Sequence, residues 1–510
     1  MAPSILIILI GAFLFNGIHL IRNQSITADE SSFYNYAVRF LKGNPDRTNP
    51  RIDNSKMPVS VLNTVPRIIE QILSPGLTKN DWGHRDIFNG RFITLFISVF
   101  TLLLVFVWAK DLFGVNAGLF SVFLISWIPD FIANATYITT DSYAVLMFLL
   151  TLFLLWLYFK KGSLIFFILF SVSIAFSQLV KQSLVHLYFL TLLISLIYYL
   201  IHDKSFLQKK VLVNLILFVF INLLVINAGY YFHHSFMHLG DFQFMSSLFQ
   251  HIQNVLPHNL IIPFPEPFIT GLDQAKYYDS LGGGFDQVSS FGKVTILGNE
   301  STGGSFWYYY FVSIWFKTPI GILLLLAWSF LYLFRKSFTD ISMHLLIFLI
   351  LPVVYFLTVF SFFYNTQCGI RHIIFIFPFI CIFASQIISS LKNIQAKFML
   401  GFICIGIMIS VFIYRNNMYS YTNEFILDKT TAFEKVGAAN LEFKQGGFYL
   451  KKFLQKHPDF QYAVKTKISG NFIIGTDDYL DIFNRRKYQW IKAYKPYAHF
   501  NYNYLLIKVP

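Results

Sequence analysis

Long apolar stretches alternate with polar segments along the whole chain, and this pattern is its most informative feature. A helix that spans a bilayer needs about 17–25 mostly apolar residues. Such stretches occur at 4–21, 92–109, 113–128, 144–160, 164–180, 184–201, 211–230, 317–334, 342–361, 371–389 and 398–414. The pattern predicts an α-helical polytopic membrane protein with about eleven transmembrane helices.

Two long polar loops interrupt the apolar stretches, at 22–91 and 231–306. Residues 33–42 have helical spacing, and the turn-forming residues 43–45 that follow should end this helix. The second loop contains closely spaced prolines and a run of glycines, which predict irregular, lid-like structure. The prolines and glycines are Pro263, Pro265, Pro267, Gly282, Gly283 and Gly284.

The last hundred residues are polar enough to fold outside the lipid. They combine one helical pattern, at 446–456, with strand-like runs at 471–475 and 502–508. This mixture predicts a small α/β domain. We therefore predict a transmembrane domain over 1–414, which includes both long loops, and a C-terminal α/β domain over 415–510.

The basic residues predict how the chain is oriented. The basic residues of one set of short loops and helix ends are Lys110, Lys160, Lys161, Lys204, Lys209, Lys210, Arg335, Lys336, Lys392 and Lys397. The opposite loops have almost none, and cytoplasmic loops are the ones enriched in Lys and Arg. The N-terminus should therefore be cytoplasmic, and both long loops and the C-terminal domain should lie outside. Residues 4–21 lack a basic leader and a cleavage site, so they predict an uncleaved helix.

Composition places the chain firmly in the membrane class. Of its 510 residues, 55% are hydrophobic and 13% are charged. Soluble domains have about 45–50% apolar and about 25% charged residues. The net charge of +14 fits contact with a lipid bilayer, and no helix interleaves basic with aromatic residues, so a nucleic-acid partner is not predicted. The three cysteines form neither a CxxC pair nor a disulfide framework.

Two acidic positions lie at outer helix ends. Asp29 and Glu30 follow the first apolar stretch, and Asp141 directly precedes the fourth. Each aspartate could simply cap the helix that follows it. A carboxylate at this position could also act as a general base toward an acceptor hydroxyl. Because all three are predicted on the same membrane face, a catalytic function is the alternative to capping.

Several cations are predicted on that same face. Arg371 and His372 begin an apolar run, Lys56 lies in the first long loop, and Lys181 separates two helices. Any one of them could face lipid headgroups. Together with the carboxylates, they suggest a phosphate leaving group and a base, since the planar guanidinium group pairs well with phosphate.

One histidine cluster is a weaker candidate. If residues 233–238 were helical, His234 and His238 would share a face and could bind a metal together. Interfacial histidines at a helix end explain the same pattern. No metal site is predicted here.

Four stretches resemble the GT-C membrane glycosyltransferases of the protein O-mannosyltransferase and aminoarabinose-transferase type. The matching stretches are Ala28-Asp29-Glu30 with Tyr34; Gly90-Arg91 through Asp141, with Leu112-Phe113-Gly114 and Thr140; Leu297-Gly298, Trp307–Phe311 and Lys317-Thr318-Pro319; and Asn365–Phe379 with Gly369, Arg371, His372 and Pro378. They keep the family's order over about residues 20–420. The resemblance implies a GT-C fold in which residues 1–414 form the catalytic domain.

The resemblance also implies an activity. One sugar would move from a polyprenyl-phosphate donor to a hydroxyl of a protein or glycolipid acceptor on the outer membrane face, with inversion at the anomeric carbon. Asp29 would be the catalytic base, with Glu30 and Asp141 as further catalytic carboxylates. The residues implied in substrate binding are Lys56, Arg91, Lys181, Arg371 and His372.

The sequence departs from the family at two places. Some relatives have an acidic metal-binding residue where this chain has Ser55, so no metal or other cofactor is predicted. The tail motifs of bacterial relatives are matched only in part, at 421–424 and 440–445. The bacterial-type segments favour the bacterial plasma (inner) membrane as the location.

A transporter or flippase of lipid-linked sugars is the main alternative function. Transporters place polar groups and broken helices near mid-membrane. Here the notable charges lie at outer helix ends and the outer loops are large, which favours an enzyme. A scaffold with an outward C-terminal domain would not explain Asp29, Asp141 and Arg371 together.

Overall fold

The computed structural model describes residues 2–74, 82–201, 210–282, 292–334, 345–391, 393–483 and 485–510. Several residues named above lie outside these ranges, namely Lys204, Lys209, Gly283, Gly284, Arg335, Lys336 and Lys392.

Helices make up most of the described chain. They are α1 Ala2–Asn23, α2 Glu30–Leu41, α3 Pro50–Asp53, α4 Val65–Leu73, α5 His84–Phe113, α6 Val115–Ser126, α7 Pro129–Asn134, α8 Asp141–Lys161, α9 Leu164–Ser177, α10 His186–Ile201, α11 Lys210–Gly229, α12 Ser247–Val255, α13 Glu266–Ser280, α14 Tyr309–Lys317, α15 Ile320–Phe334, α16 Leu351–Phe362, α17 Phe377–Ser385, α18 Ile394–Ile413, α19 Ala432–Val436, α20 Gly447–Lys456 and α21 Thr476–Leu480. The strands are β1 Met237–His238, β2 Ile261–Ile262, β3 Lys293–Ile296, β4 Asn299–Thr302, β5 Phe460–Tyr462, β6 Gly470–Gly475, β7 Ala498–Phe500 and β8 Tyr504–Val509.

A helix lies in each of the eleven apolar stretches. Within the described ranges, seven helical segments are long and apolar enough to cross a membrane, and an eighth is added if one bent pair counts as a single span. Three further apolar helices are shorter, at Val115–Ser126, Leu164–Ser177 and Leu346–Phe362. The predicted class, a helical integral membrane protein, is confirmed. The number of spans stays a prediction.

The bent pair is formed by α14 and α15, which meet at an angle of 112° across Thr318-Pro319. Proline lacks a backbone N–H and its ring clashes with the preceding turn, so a helix is readily broken there. The stretch at 317–334 is thus not a single straight helix, because α15 starts at Ile320 and α14 runs in a different direction.

The most buried span is Ile370–Ser389, of which 83% is enclosed by other helices. Aromatic packing places it at the centre of the bundle. The ring of Phe148 on α8 lies 5.1 Å from Phe375 and 5.0 Å from both Phe379 and Phe356. This central span holds Arg371 and His372 at its first turn.

The first long loop folds as the sequence pattern predicts. Helix α2 covers the expected helical stretch, and the chain turns at Gly43, whose φ is +82°. The second long loop is more regular than predicted. It contains α12 and α13 as well as two small antiparallel sheets, so the prediction of irregular structure is wrong there. Proline at the start of α13 begins that helix rather than breaking the chain.

The tail contains the expected helix and strands. Helix α20 and strands β6 and β8 lie where their patterns predict them. Four strands form one sheet in the order β5-β6-β8-β7, with β5 and β6 parallel and the other neighbours antiparallel. Apolar side chains of the sheet and of α19 form a core separate from that of the bundle.

Candidate active site

Most of the predicted site residues meet at one end of the helix bundle. Asp29 precedes α2, Lys56 lies in the loop after α3, and Asp141 begins α8. Lys181 follows α9, and Arg371 begins the central span. Residues more than 300 positions apart in sequence therefore form one charged cluster.

Asp29 and Arg371 form the first ion pair of this cluster. The Nη1 of Arg371 donates a hydrogen bond to Oδ2 of Asp29 at 3.1 Å. The Asp29 side chain is 35% exposed, and it makes no capping hydrogen bond to α2. Its carboxylate is therefore accessible and aligned by a cation, as a general base would need to be.

Lys56 lies next to this pair and is almost completely buried. Its Nζ donates to Oγ of Ser55 at 3.1 Å and lies 3.9 Å from the ring centre of Phe33. Burial lowers the pKa of Lys56 to about 8, and the charge of Asp29 opposes this shift. Within the described ranges Lys56 forms no ion pair. A buried cation without a carboxylate partner is well suited to an anionic ligand.

Asp141 and Lys181 form the second ion pair, with Nζ of Lys181 2.6 Å from Oδ1 of Asp141. Asp141 is the first residue of α8, where the helix dipole favours a negative charge. His372 lies close enough to interact electrostatically with both members of the pair and with Arg371. The second pair is thus continuous with the first.

Glu30 and Arg91 occupy a different environment, although Glu30 adjoins Asp29 in sequence. Both side chains are fully buried. The carboxylate of Glu30 accepts hydrogen bonds from Nε and Nη2 of Arg91 at 2.7 and 2.6 Å and from the backbone N–H groups of Thr27 and Ile138. These contacts favour a structural role over the catalytic role predicted for Glu30 and the substrate contact predicted for Arg91.

The C-terminal tail contributes to the site directly. The Phe443 ring lies 4.3 Å from the guanidinium carbon of Arg371, an arrangement that favours a cation–π interaction. The carbonyl of Phe443 accepts a hydrogen bond from the N–H of Ala28, next to Asp29. The tail therefore holds both partners of the Asp29–Arg371 pair. The partial family match at 440–445 was the signal for this role, but the sequence did not show where the segment would lie.

Asn440 fixes the first turn of the central span. Its Oδ1 accepts from the N–H of Ile370 at 2.8 Å, and its Nδ2 donates to the hydroxyl of Tyr309. Gly369 has a φ of +88°, and a Cβ there would lie 2.5 Å from the carbonyl oxygen of Ala439. Glycine is therefore required where the tail passes the start of the Arg371 helix.

A further buried ion pair, absent from the predicted site, links the tail to the bundle. Nζ of Lys317 lies 3.0 Å from Oδ1 of Asp130, and both side chains are essentially inaccessible. The same ammonium group donates to the carbonyl oxygens of Tyr419 and Asn440. Lys317 therefore ties the break between α14 and α15 to the segment that positions Arg371. The resemblance included Lys317, but nothing in the sequence pointed to Asp130 as its partner.

A second group of acids lies behind Arg371, in the tail. Glu442 accepts from the N–H of Asp477 at 2.9 Å. Burial raises the pKa of both carboxyl groups, and the neighbouring charge of Asp478 adds to the effect. Asp477 is also close enough to Arg371 to interact electrostatically. These acids therefore lie beside the site, on the side of Arg371.

No group of three or more His, Cys, Asp or Glu side chains with metal-binding geometry occurs among the described residues. The stretch 230–236 forms consecutive turns instead of a helix, so His234 and His238 do not share a helical face. His233 contacts Asp46 at 2.8 Å. The prediction that no metal takes part stays a prediction.

Comparison with known proteins bears on the fold and the family. Residues 76–242 match the family model described as dolichyl-phosphate-mannose-protein mannosyltransferase. This match includes Arg91, Asp141 and Lys181. A search of curated proteins gives no significant match.

The fold is similar to that of ArnT from Cupriavidus metallidurans. The crystal structure of that protein bound to undecaprenyl phosphate aligns with a TM-score of 0.51 at 12% identity, covering 99% of this chain and 98% of that chain. The apo crystal structure aligns with a TM-score of 0.50, with the same identity and coverage. The shared fold and the family match together confirm the predicted resemblance to GT-C membrane glycosyltransferases of the protein O-mannosyltransferase and ArnT type.

Proposed function

We propose that this protein transfers a single sugar from a polyprenyl-phosphate donor to an acceptor hydroxyl at the outer membrane face. A glycosyl transfer function is supported by the family match and by the ArnT-like fold. The donor class is supported by the ArnT neighbour, whose structure contains undecaprenyl phosphate. The observation that carries the proposal is the convergence of Asp29, Lys56 and Arg371 at one end of the bundle.

Two cations would bind the donor phosphate. Lys56 is buried without an anionic partner among the residues that the structure describes, and Arg371 is held at its side by Asp29 and by the ring of Phe443. Both charges would oppose the negative charge that develops on the leaving phosphate. A bound phosphate would also offset the free-energy cost of burying the Lys56 ammonium group.

Asp29 would accept the proton of the acceptor hydroxyl. The acceptor oxygen forms a bond to the anomeric carbon while the bond from that carbon to the phosphate oxygen breaks, and polyprenyl phosphate leaves with the electron pair. Attack opposite the leaving group inverts the anomeric centre. Asp141, His372 and Lys181 would line the part of the site that holds the sugar. They adjoin Arg371, while the ion pair of Lys181 is with Asp141 and leaves the Asp29 carboxylate available.

A transfer assay tests this proposal. Purified protein would be incubated with a panel of radiolabelled polyprenyl-phosphate sugars and total membrane extract. We expect label to move from the carrier to a new product. Asp29→Asn should lower the rate by about 10²- to 10⁴-fold, as expected for loss of general base catalysis. Asp111→Asn is the matched control, because Asp111 forms an exposed ion pair with Lys160 at the opposite helix ends.

The outcome also separates the enzyme from the alternative function. Normal transfer by Asp29→Asn would exclude this residue as the base. If no donor gives transfer, but the protein moves labelled carrier across liposome membranes, the protein is a flippase. If the wild type transfers the label and the Asp29→Asn variant leaves it on the carrier, the assay would establish the transferase activity and the requirement for Asp29.

A further inference from the structure

Helix α14 presents an aromatic stripe to its surroundings. Phe311 and Trp315 lie on this helix, and Trp307 lies in the turn directly before it; the three are spaced four residues apart, and each is roughly half exposed. Tyr310 and Ser313 on the opposite face are fully buried. Tryptophan side chains prefer the interface between lipid and water, because the indole ring is apolar but carries one N–H donor.

A loop of the C-terminal tail extends this stripe. Phe425 is 48% exposed and Leu427 is 91% exposed, while Ile426 between them is buried in the tail core. The rings of Phe425 and Trp315 are stacked, with centroids 5.0 Å apart and planes only 2° from parallel. Phe425 therefore lies against the end of α14, and Leu427, two residues later, is exposed beside it.

Hydrogen bonds hold this loop against α14. Nδ2 of Asn423 donates to the carbonyl oxygens of Trp315 and Thr318, at 2.6 and 2.9 Å. The N–H of Asn423 donates to the carbonyl of Phe316 at 2.8 Å. These hydrogen bonds hold the loop against the end of α14. Leu427 is therefore exposed although the segment that precedes it is fixed in place.

The patch adjoins exposed apolar side chains of the spans, because the ring of Trp307 stacks on that of Phe362 at the end of α16, with centroids 6.1 Å apart. Apolar side chains are exposed at the end of α16, at Phe362 and Phe363, and at the end of α18, at Phe412 and Ile413. Spans alternate in direction, so these two ends and the start of α15 lie at the same side of the bilayer. The 112° bend turns α14 away from the direction of α15 at this level.

We propose that the tail loop Phe425–Leu427 inserts into the membrane interface beside α14 and anchors the C-terminal tail to the bilayer. Its partner is the boundary between lipid headgroups and acyl chains. Continuity with the spans favours lipid over a protein partner, because a protein bound at this patch would compete with the lipid that already surrounds the adjoining helix ends. The anchor lies outside the charged cluster, so it does not depend on the proposed reaction.

Collisional quenching of a fluorophore tests the anchor in the full-length protein. Leu427→Cys would be labelled with a small environment-sensitive fluorophore and placed in lipid nanodiscs that contain nitroxide-labelled phosphatidylcholine. Because Leu427 is almost fully exposed, the substitution removes little packing. Ile468→Cys is the matched control, an exposed apolar position elsewhere in the tail. Unmutated protein treated with the same reagent corrects for labelling of Cys368, Cys381 and Cys404.

We expect shallow nitroxide lipids to quench the label at position 427 at least twofold more than the label at 468, and aqueous iodide to quench it less. Strong iodide quenching with no lipid quenching would place the loop in water and overturn the proposal. Protection from both quenchers would also overturn it, because a second copy of the chain or another protein would then cover the patch. If each quencher acts equally on the labels at 427 and 468, the loop is no closer to the lipid than the control position, which would contradict a specific anchor.

Discussion

Asp29 and Glu30 are adjacent acids with opposite environments. The side chain of Asp29 is 35% exposed and has one ion-pair partner, Arg371. Glu30 is fully buried, and four N–H groups saturate its oxygens. These four contacts hold the carboxylate of Glu30 in place and occupy the oxygens that a substrate hydroxyl would otherwise contact. The two acids are thus of the same chemical type but differ in whether their oxygens remain available for a further contact.

The physical origin of the difference is the start of α2. Asp29 precedes the helix, and Glu30 is its first residue. Successive residues of a helix point about 100° apart. One side chain therefore faces the central span, and the other faces α5, where Arg91 lies. The predictions below test this division, beginning with the largest expected effect.

Removal of charge from the buried pair should affect folding most strongly. Glu30→Gln leaves Arg91 buried without a counter-charge, and breaking such a pair costs about 3–5 kcal/mol. Asp29→Asn should change the free energy of unfolding by less than about 1 kcal/mol, because its ion pair is partly exposed. Chemical denaturation of both variants in detergent measures the two effects.

The conservative variant Arg91→Lys serves as a control for this prediction, since it keeps the charge but loses the two-pronged contact with Glu30. Its stability should fall between those of the wild type and Glu30→Gln. Equal loss of stability in Asp29→Asn and Glu30→Gln would refute the distinction between the two acids.

The next effect concerns the pH dependence of donor binding by Lys56. Burial lowers the pKa of Lys56 to about 8, so its ammonium form is present below that pH and is lost as the pH rises through it. If the ammonium binds phosphate, kcat/KM for the donor should fall about tenfold per pH unit above about pH 8, since this parameter reports groups of the free enzyme. Lys56→Arg should remove this alkaline limb, because arginine stays protonated.

The shape of the pH profile, not the rate itself, is the readout for Lys56→Arg, since arginine also changes the geometry. Lys160→Arg is the control, as Lys160 lies with Asp111 far from the cluster. An alkaline limb that persists unchanged in Lys56→Arg would assign it to another group.

The smallest effect is expected behind the site, at Glu442. Burial raises the pKa of its carboxyl group, and the charge of Asp478 adds to this. A raised pKa in the folded state gives stability that is present at low pH and is lost as the pH rises from the ordinary glutamate range to the raised value. The wild type should therefore lose on the order of 1–2 kcal/mol more than Glu442→Gln between about pH 5 and about pH 8.

Thermal unfolding at both pH values measures this difference. Glu434→Gln is the control, because Glu434 is an exposed acid on the same tail. A wild-type protein whose stability does not fall relative to Glu442→Gln over this range would contradict a raised pKa for the Glu442 carboxyl group.

Much of the fold could be predicted because it depends on local pattern. An apolar stretch long enough to cross a bilayer forms a helix wherever it packs, since its backbone N–H and C=O groups must bond within the segment. Each of the eleven stretches accordingly contains a helix. The bend at Thr318-Pro319 and the regular helices of the second long loop were less visible, because proline can begin a helix as well as end one.

The site was predictable in its residue types but not in its pairings. The sequence indicated Asp29, Asp141, Lys181 and Arg371, and the structure brings them together. It gave no sign that Lys181 would pair with Asp141. The role of Phe443 was hidden as well, because a cation–π contact between residues 72 positions apart has no local signature.

The sequence by itself determined that this is a helical membrane protein with charged residues at helix ends, because hydrophobic length and polar position are local properties. Only the tertiary structure decided which of those charges remain available. Glu30 and Arg91 neutralise each other in the interior. In the described part of the chain, Lys56 is buried without an anionic partner, and Asp29 stays accessible. That outcome depends on which elements pack side by side, because the free energy of a buried charge is set by neighbours that the chain brings from distant positions.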